Sequence, residues 1–321
     1  MGISAQVGRT AIRRVLPGGL VAHTRLPILL VAVALPLALP FANAATVGRV
    51  AATYGVLALG YAVVFGLAGQ FTVAHAALYG VGAYVTAILT ARANIDPWVV
   101  LPIAAAGGGL AGAVVGCCAL RVRGDVLAIV TLAVGQLAQV VMLAWTPVTG
   151  GFAGISDVPA LTFQGTPLIS DAQQYVVAAA LLVTSAIAVD RLRGSRFGLA
   201  LQTIREDETV AATAGIAISA HKVAAFALSG VFAGAAGWLE ATALGAVSPT
   251  TFDIVFSVLI AVMVLLAGSG RVYAVIAAAT TIALLQDALK TVPEVETAVI
   301  GLAIVVIVIA RSRPLMLRRR A

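Results

Sequence analysis

Apolar runs of about 20 residues, nearly free of charge, recur from residue 26 to residue 310. No other feature constrains the chain so tightly. A helix needs roughly 20 mostly apolar residues to rise through about 30 Å of hydrocarbon. About ten stretches meet that requirement: 26–43, 47–68, 71–91, 97–119, 126–146, 174–190, 221–244, 254–270, 272–290 and 295–310. Of the 321 residues, 61% are hydrophobic and 10% charged, against about 25% charged in an ordinary soluble domain. That balance excludes a disordered chain, a basic nucleic-acid-binding protein and a two-domain soluble enzyme. The expected fold class is an all-α integral membrane protein of about ten transmembrane helices in the plasma (inner) membrane. The second and third spans are separated by only a few residues, as are the eighth and ninth. Either pair has room for a broken or re-entrant helix.

Charge sets the orientation. If both termini lie on one side, the segments there are 1–25, the turn at 68–71, 120–125, 191–222, the turn at 270–272 and 311–321. They hold 17 of the 20 basic residues, including Arg9, Arg13, Arg14, Arg25, Arg121, Arg193, Arg205, Lys222, Arg271 and Arg318. The opposite side keeps Arg49, Arg92 and Lys290, with Asp96, Asp157, Asp171, Asp253, Asp287, Glu294 and Glu296. The positive-inside rule makes the termini cytoplasmic, and most of the net charge of +7 is then an orientation signal. The organisation expected is a basic segment at 1–25, a polytopic domain over 26–310 containing a cytoplasmic segment at 191–222, and a basic tail at 311–321. Ala42-Asn43-Ala44 is similar to a signal-peptidase site, but a retained first helix is expected because nine further spans follow. Ten spans divide into five plus five, which would invert the second half relative to the first; no residue-level repeat marks the halves.

Small residues mark packing faces. Gly108, Gly112 and Gly116 recur every four residues, as do Gly230 and Gly234, a spacing that lets helices approach closely in lipid. The adjacent Cys117 and Cys118 suit no disulfide framework and pack as small hydrophobes.

The chain offers little reaction chemistry. There is no GxxxxGK[ST] phosphate loop, HExxH, CxxC or nucleophile elbow, and three scattered histidines make no metal-binding pattern. Metal, cofactor and enzymatic activity are therefore not expected. Polar residues inside spans are the better candidates, because placing them in lipid is costly. Gln70 and His75 either satisfy a helix break or line a pathway. Gln136 and Gln139 either bond between helices or line it. Glu240 faces an aqueous vestibule or reaches the outer interface, and Gln286 with Asp287 lies near that interface.

Two connecting segments carry further signals. The outer one, about 147–173, contains Thr149-Gly150-Gly151-Phe152-Ala153-Gly154-Ile155-Ser156 and is long enough to be an ordered external element. The cytoplasmic one, 191–222, spaces Leu199, Leu201, Ile204, Val210, Ala211 and Ala214 around Arg205-Glu206-Asp207-Glu208, with Gly215 as a helix stop. A short helix of this kind suits a docking surface for a soluble partner. An interfacial helix lying on lipid is the alternative, though anionic headgroups would repel three adjacent acids.

Four stretches resemble the LivM-type permeases of the branched-chain amino acid ABC importers. They are Gly66-Leu67-Ala68-Gly69-Gln70-Phe71-Thr72-Val73-Ala74-His75 continuing to Tyr84, Leu120-Arg121-Val122-Arg123-Gly124-Asp125 continuing to Leu132, the Thr149–Ser156 loop, and Arg196-Phe197-Gly198 through Gly215-Ile216 to Ala267-Gly268-Ser269-Gly270. The match departs at Thr72-Val73-Ala74-His75, where the family often has Ser-Leu-Gly-His, and at the last turn, where Gly-Gly-x-Gly is common. The resemblance implies a permease domain over 26–310 that binds no cofactor itself, ATP being used by two cytoplasmic ATPase subunits. It implies coupling to those subunits through Arg205, Glu206, Asp207, Glu208 and Gly215. It also implies a LivH-type second permease, an extracytoplasmic substrate-binding protein and an amino acid substrate, with no nucleic acid. Gln70, His75, Gln136 and Glu240 are the candidates for the translocation pathway. Branched-chain amino acids are the expected cargo, urea or short amides the alternative. An ATP-independent secondary transporter is the rival class, with only Glu240 and His75 available as an intramembrane relay.

Overall fold

The computed structural model describes residues 43–122, 124–268 and 271–290. The expectations for the segment 1–25, for the first span apart from Asn43, for the tenth span at 295–310 and for the tail at 311–321 lie outside the described residues.

The remaining apolar runs are helices. Helix α1 (Ala44–Tyr61) continues as a π-helical turn over Ala62–Leu67. Helix α2 (His75–Ala87) ends in another, Ile88–Arg92. Then come α3 (Pro97–Ala119), α4 (Asp125–Ala144) and the single turn α5 (Thr146–Thr149). Helix α6 (Asp171–Gly194) leads into two short helices, α7 (Arg196–Glu206) and α8 (Glu208–Thr213). Helices α9 (Ile218–Leu244), α10 (Ile254–Ala267) and α11 (Val272–Leu289) complete the described part. Six of these, α1, α3, α4, α6, α9 and α11, are long and apolar enough to cross a membrane, and α10 is a shorter apolar helix. The second and third expected spans are separated by a true break: residues 68–74 have no regular structure and α2 starts only at His75.

Local chemistry sets the boundaries. The Asp96 carboxylate accepts the Trp98 amide at 2.8 Å ahead of Pro97, opening α3. Asp253 caps α10 through the Phe256 amide at 2.8 Å. Ser170 and Gln173 form a reciprocal capping box at the start of α6. Helix α9 stops at Gly245, whose φ of +70° few other residues adopt.

Helix α9 is the hub, packed against α1, α2 and α3. The expected glycine faces meet there. A Cβ on Gly108 of α3 would lie 2.8 Å from the Gly234 Cα, and one on Gly82 of α2 would overlap the Gly234 backbone. Lipid tails are as apolar as the side chains, so this association rests on van der Waals contact between closely approaching backbones. Coverage differs sharply among the helices: 83% of the most apolar stretch of α1 is buried, but only 17% of that of α4.

The two ends of the bundle are chemically distinct. One gathers the end of α1, the α6–α9 connection and the start of α11, and with them Arg193, Arg205, Lys222 and Arg271. The other holds the long 145–170 connection. It is ordered by an antiparallel bridge between Ile155 and Val247 and a two-stranded hairpin, β1 (Thr162–Phe163) against β2 (Thr166–Pro167). It is fastened to the helix ends by Arg92 on the Pro147 carbonyl and the Trp98 indole on the Thr162 carbonyl, both 2.8 Å.

Candidate functional site

The break between α1 and α2 folds back into the bundle. His75, fully buried, places Nε2 3.2 Å from the Leu57 carbonyl. Leu57 precedes Leu67 by ten residues, about 15 Å of helix rise. Backbone groups that leave a helix at such depth need partners; three elements supply them, and a fourth meets the His75 side chain. The Tyr61 hydroxyl of α1 donates to the Thr72 carbonyl at 3.0 Å. Thr131 Oγ1 of α4 accepts the Val73 amide at 3.0 Å, and Ser257 Oγ of α10 accepts the Ala76 amide at 2.9 Å. Ser229 Oγ of α9 lies 3.4 Å from His75 Nδ1. The Tyr61 ring meets His75 edge-on, with centroids 5.5 Å apart. Gln70 is half-buried and donates to the Ala68 carbonyl at 3.4 Å. His75 and Gln70 thus both serve the break, and the His75 ring is enclosed.

The segment expected to couple to an ATPase is two helices rather than one. Asp207 separates them by capping α8: its carboxylate accepts the Thr209 amide at 2.7 Å and the Val210 amide at 3.3 Å. Those two hydrogen bonds hold the Asp207 carboxyl below the usual carboxylate range. The cap is therefore intact above the ordinary carboxylate pKa and is lost only as pH falls through the lowered one. Helix α8 ends in a Schellman motif, with the Gly215 amide on the Ala212 carbonyl and the Ile216 amide on the Ala211 carbonyl, both 3.0 Å. Gly215 supplies the required positive φ of +77°. Glu208 pairs with the mostly buried Lys222 of α9 at 2.6 Å, which ties α8 back to a long helix. Arg205 reaches the break: its Nη1 donates to the Gly66 carbonyl in the π-helical turn at 2.5 Å. Its side chain also lies against Gly69 (φ +70°), where a Cβ would come within 2.7 Å of Arg205 Cγ. Glu206, Thr209 and Val210 face outward with Asp207. The five expected coupling residues are therefore contiguous in space but different in work: Arg205 and Glu208 anchor, Asp207 and Gly215 bound α8, and Glu206 is exposed.

Glu240 of α9 is paired with a base. Its carboxylate lies 3.3 Å from the Arg49 guanidinium of α1, with the side chains 19% and 6% exposed. Arg49, one of the charges expected on the outer side, is buried near the start of α1. A lone acid within one apolar run and a lone base within another was the available signal. Arg49 Nε has no hydrogen-bond partner among the described residues.

Gln136 and Gln139 lie on the poorly covered α4, both half-buried. Gln286 is also half-buried, and Asp287 bonds Lys290 at 2.9 Å near the end of α11. The four pathway candidates are thus dispersed: Gln70 and His75 at the break, Glu240 in the ion pair, and Gln136 on an outward helix.

Residues 43–308 match the family described as branched-chain amino acid transport system / permease component. The chain is similar to the high-affinity branched-chain amino acid transport system permease protein LivM of Escherichia coli (strain K12), 33% identical over 286 residues that cover 82% of this chain and 67% of the relative. The LivM protein of Salmonella typhimurium (strain LT2) is 32% identical over the same shares. No solved structure matches.

Proposed function

The chain belongs to the permease-component family of branched-chain amino acid transport systems, and from that premise we propose that it is the LivM-type subunit of an ATP-driven importer. A permease of this family is a multi-pass inner-membrane transport component and not an enzyme. In the proposed complex it forms a translocation pathway with a second, LivH-type permease. Two cytoplasmic ATPases bind below, and an extracytoplasmic binding protein delivers the amino acid above. No cofactor is held by this chain. The basic end of the bundle is cytoplasmic, as the positive-inside rule requires, and ten spans in two inverted halves remain the proposed full topology.

The observation that carries the coupling is the Arg205 contact. An ATPase gripping the exposed Glu206–Val210 face moves α7 and α8, and Arg205 transmits that movement to the π-helical turn and the break. Substrate access then changes where α1, α2, α4, α9 and α10 meet. A branched-chain amino acid suits a pathway with few fixed charges, and both LivM relatives carry that cargo in their names.

Reconstitution with the partner subunits tests this. Arg205→Gln is expected to leave the ATPases bound while uptake per ATP hydrolysed falls severalfold. Glu206→Ala combined with Asp207→Asn, which keeps the cap, is expected to weaken ATPase co-purification. Robust uptake by vesicles lacking every ATPase subunit overturns the importer reading in favour of a secondary transporter.

A further inference from the structure

Helix α4 is the least covered of the long helices. Its inner edge, Leu127, Thr131 and Met142, is buried, and the helix packs on α2, α3 and α10. The opposite edge is open: Ile129 is 66% exposed, Leu137 63% and Val140 56%. Gln136 belongs to this outward face, one turn from Leu132 and Val140, and Gln139 follows one turn later at its margin. Neither amide makes a hydrogen bond or ion pair within the described residues. Gln136 is 11 residues from the start of α4, about 16 Å of rise, close to the middle of a bilayer about 30 Å thick.

Hydrocarbon gives a primary amide nothing to bond, so two unpartnered amides on one mid-membrane face call for a polar neighbour. The outward faces of α3 and α6 differ. They present Leu110, Val114, Val176 and Ile187, and Thr184 of α6 satisfies itself on the Ala180 carbonyl at 2.8 Å. The described residues end at Asn43 and Lys290, at the ends of helices α1 and α11, which pack on each other and on α6. We infer that the outward face of α4 is the seam on which the second permease subunit packs, with Gln136 and Gln139 at its polar centre. The inference rests on the two-permease reading above and adds the surface through which the pair forms.

Site-specific photo-crosslinking in the co-expressed complex tests it. A photoreactive side chain at Ile129, Leu137 or Val140 is expected to give covalent adducts with the second permease, and one at Val176 or Ile187 is not. Adducts with the second permease from Val176 or Ile187 alone overturn the inference. So do adducts from α4 only with lipid, or only with residues 26–43 or 295–310 of the same chain. In each of those cases the second permease still co-purifies, so the two-permease reading survives; if none co-purifies, both fail. Replacing Gln136 and Gln139 together by Leu is expected to lower recovery of the two-permease complex by about tenfold, given the usual strength of interhelical hydrogen bonds in membranes. The amount of this chain in the membrane is expected to stay unchanged. Undiminished recovery of the complex from that variant also overturns the inference.

Discussion

Arg49 and Glu240 show what a single residue must do inside a membrane. Each charge is tolerable only because the other is 3.3 Å away. Removing one partner strands the other, so Arg49→Gln or Glu240→Gln is expected to destabilise the protein, and Glu240→Gln, which leaves an arginine that cannot shed its proton, by about 3–5 kcal/mol. Replacing both by apolar residues of similar size is expected to recover most of that loss. Thermal unfolding of the detergent-purified protein reads the difference, and singles no worse than the double would show that the pair is not coupled. The acid was legible in the sequence as an oddity within an apolar run, but its partner was not. The two lie 191 positions apart, and only the packing of α1 on α9 brings them together. By contrast, the stops at Asp207 and Gly215 depend on residues within a few positions and could be read directly.

At the scale of the element, the glycine seam and the break make opposite demands. Where α9 meets α2 and α3, the backbones leave no room for a side chain. Gly234→Leu is therefore expected to prevent stable assembly of the bundle, whereas Gly107→Ala, which meets only Val85 Cγ2 at 3.3 Å, should be tolerated. Fluorescence-detected gel filtration after graded heating separates the two. The break instead depends on borrowed side chains. Thr131→Val removes the acceptor of the Val73 amide, and an orphaned buried donor costs about 1–3 kcal/mol; the same heating assay should show a lowered transition. Helix length was readable because hydrocarbon thickness imposes it on the sequence, and α3 runs over the residues expected, 97–119. The start of α2 was not, because it is set by Thr131 and Ser257, residues of remote elements.

For the whole molecule, the separation of charge into two ends predicts how it sits. A reporter placed after Ala321 is expected to be active only in the cytoplasm. A cysteine at Gln164, in the turn of the hairpin, should react with an impermeant thiol reagent added outside intact cells. The reverse pattern at both sites would invert the orientation. This expectation can be drawn from sequence because topology follows from where arginines accumulate, a property of composition and not of contacts. How α7 engages the break could not be read that way, since it depends on Arg205 finding a carbonyl 139 positions away. The Arg49–Glu240 pair has an electrical consequence as well. As a bound pair it is a dipole with no net charge, so moving α1 and α9 together carries nothing across the membrane potential. A movement that shifts one ion against the other along the membrane normal displaces charge through the field, at about 2.3 kcal/mol per elementary charge for a full crossing at 100 mV. The cell's voltage therefore acts on this pair through motions that slide α1 against α9 along that normal.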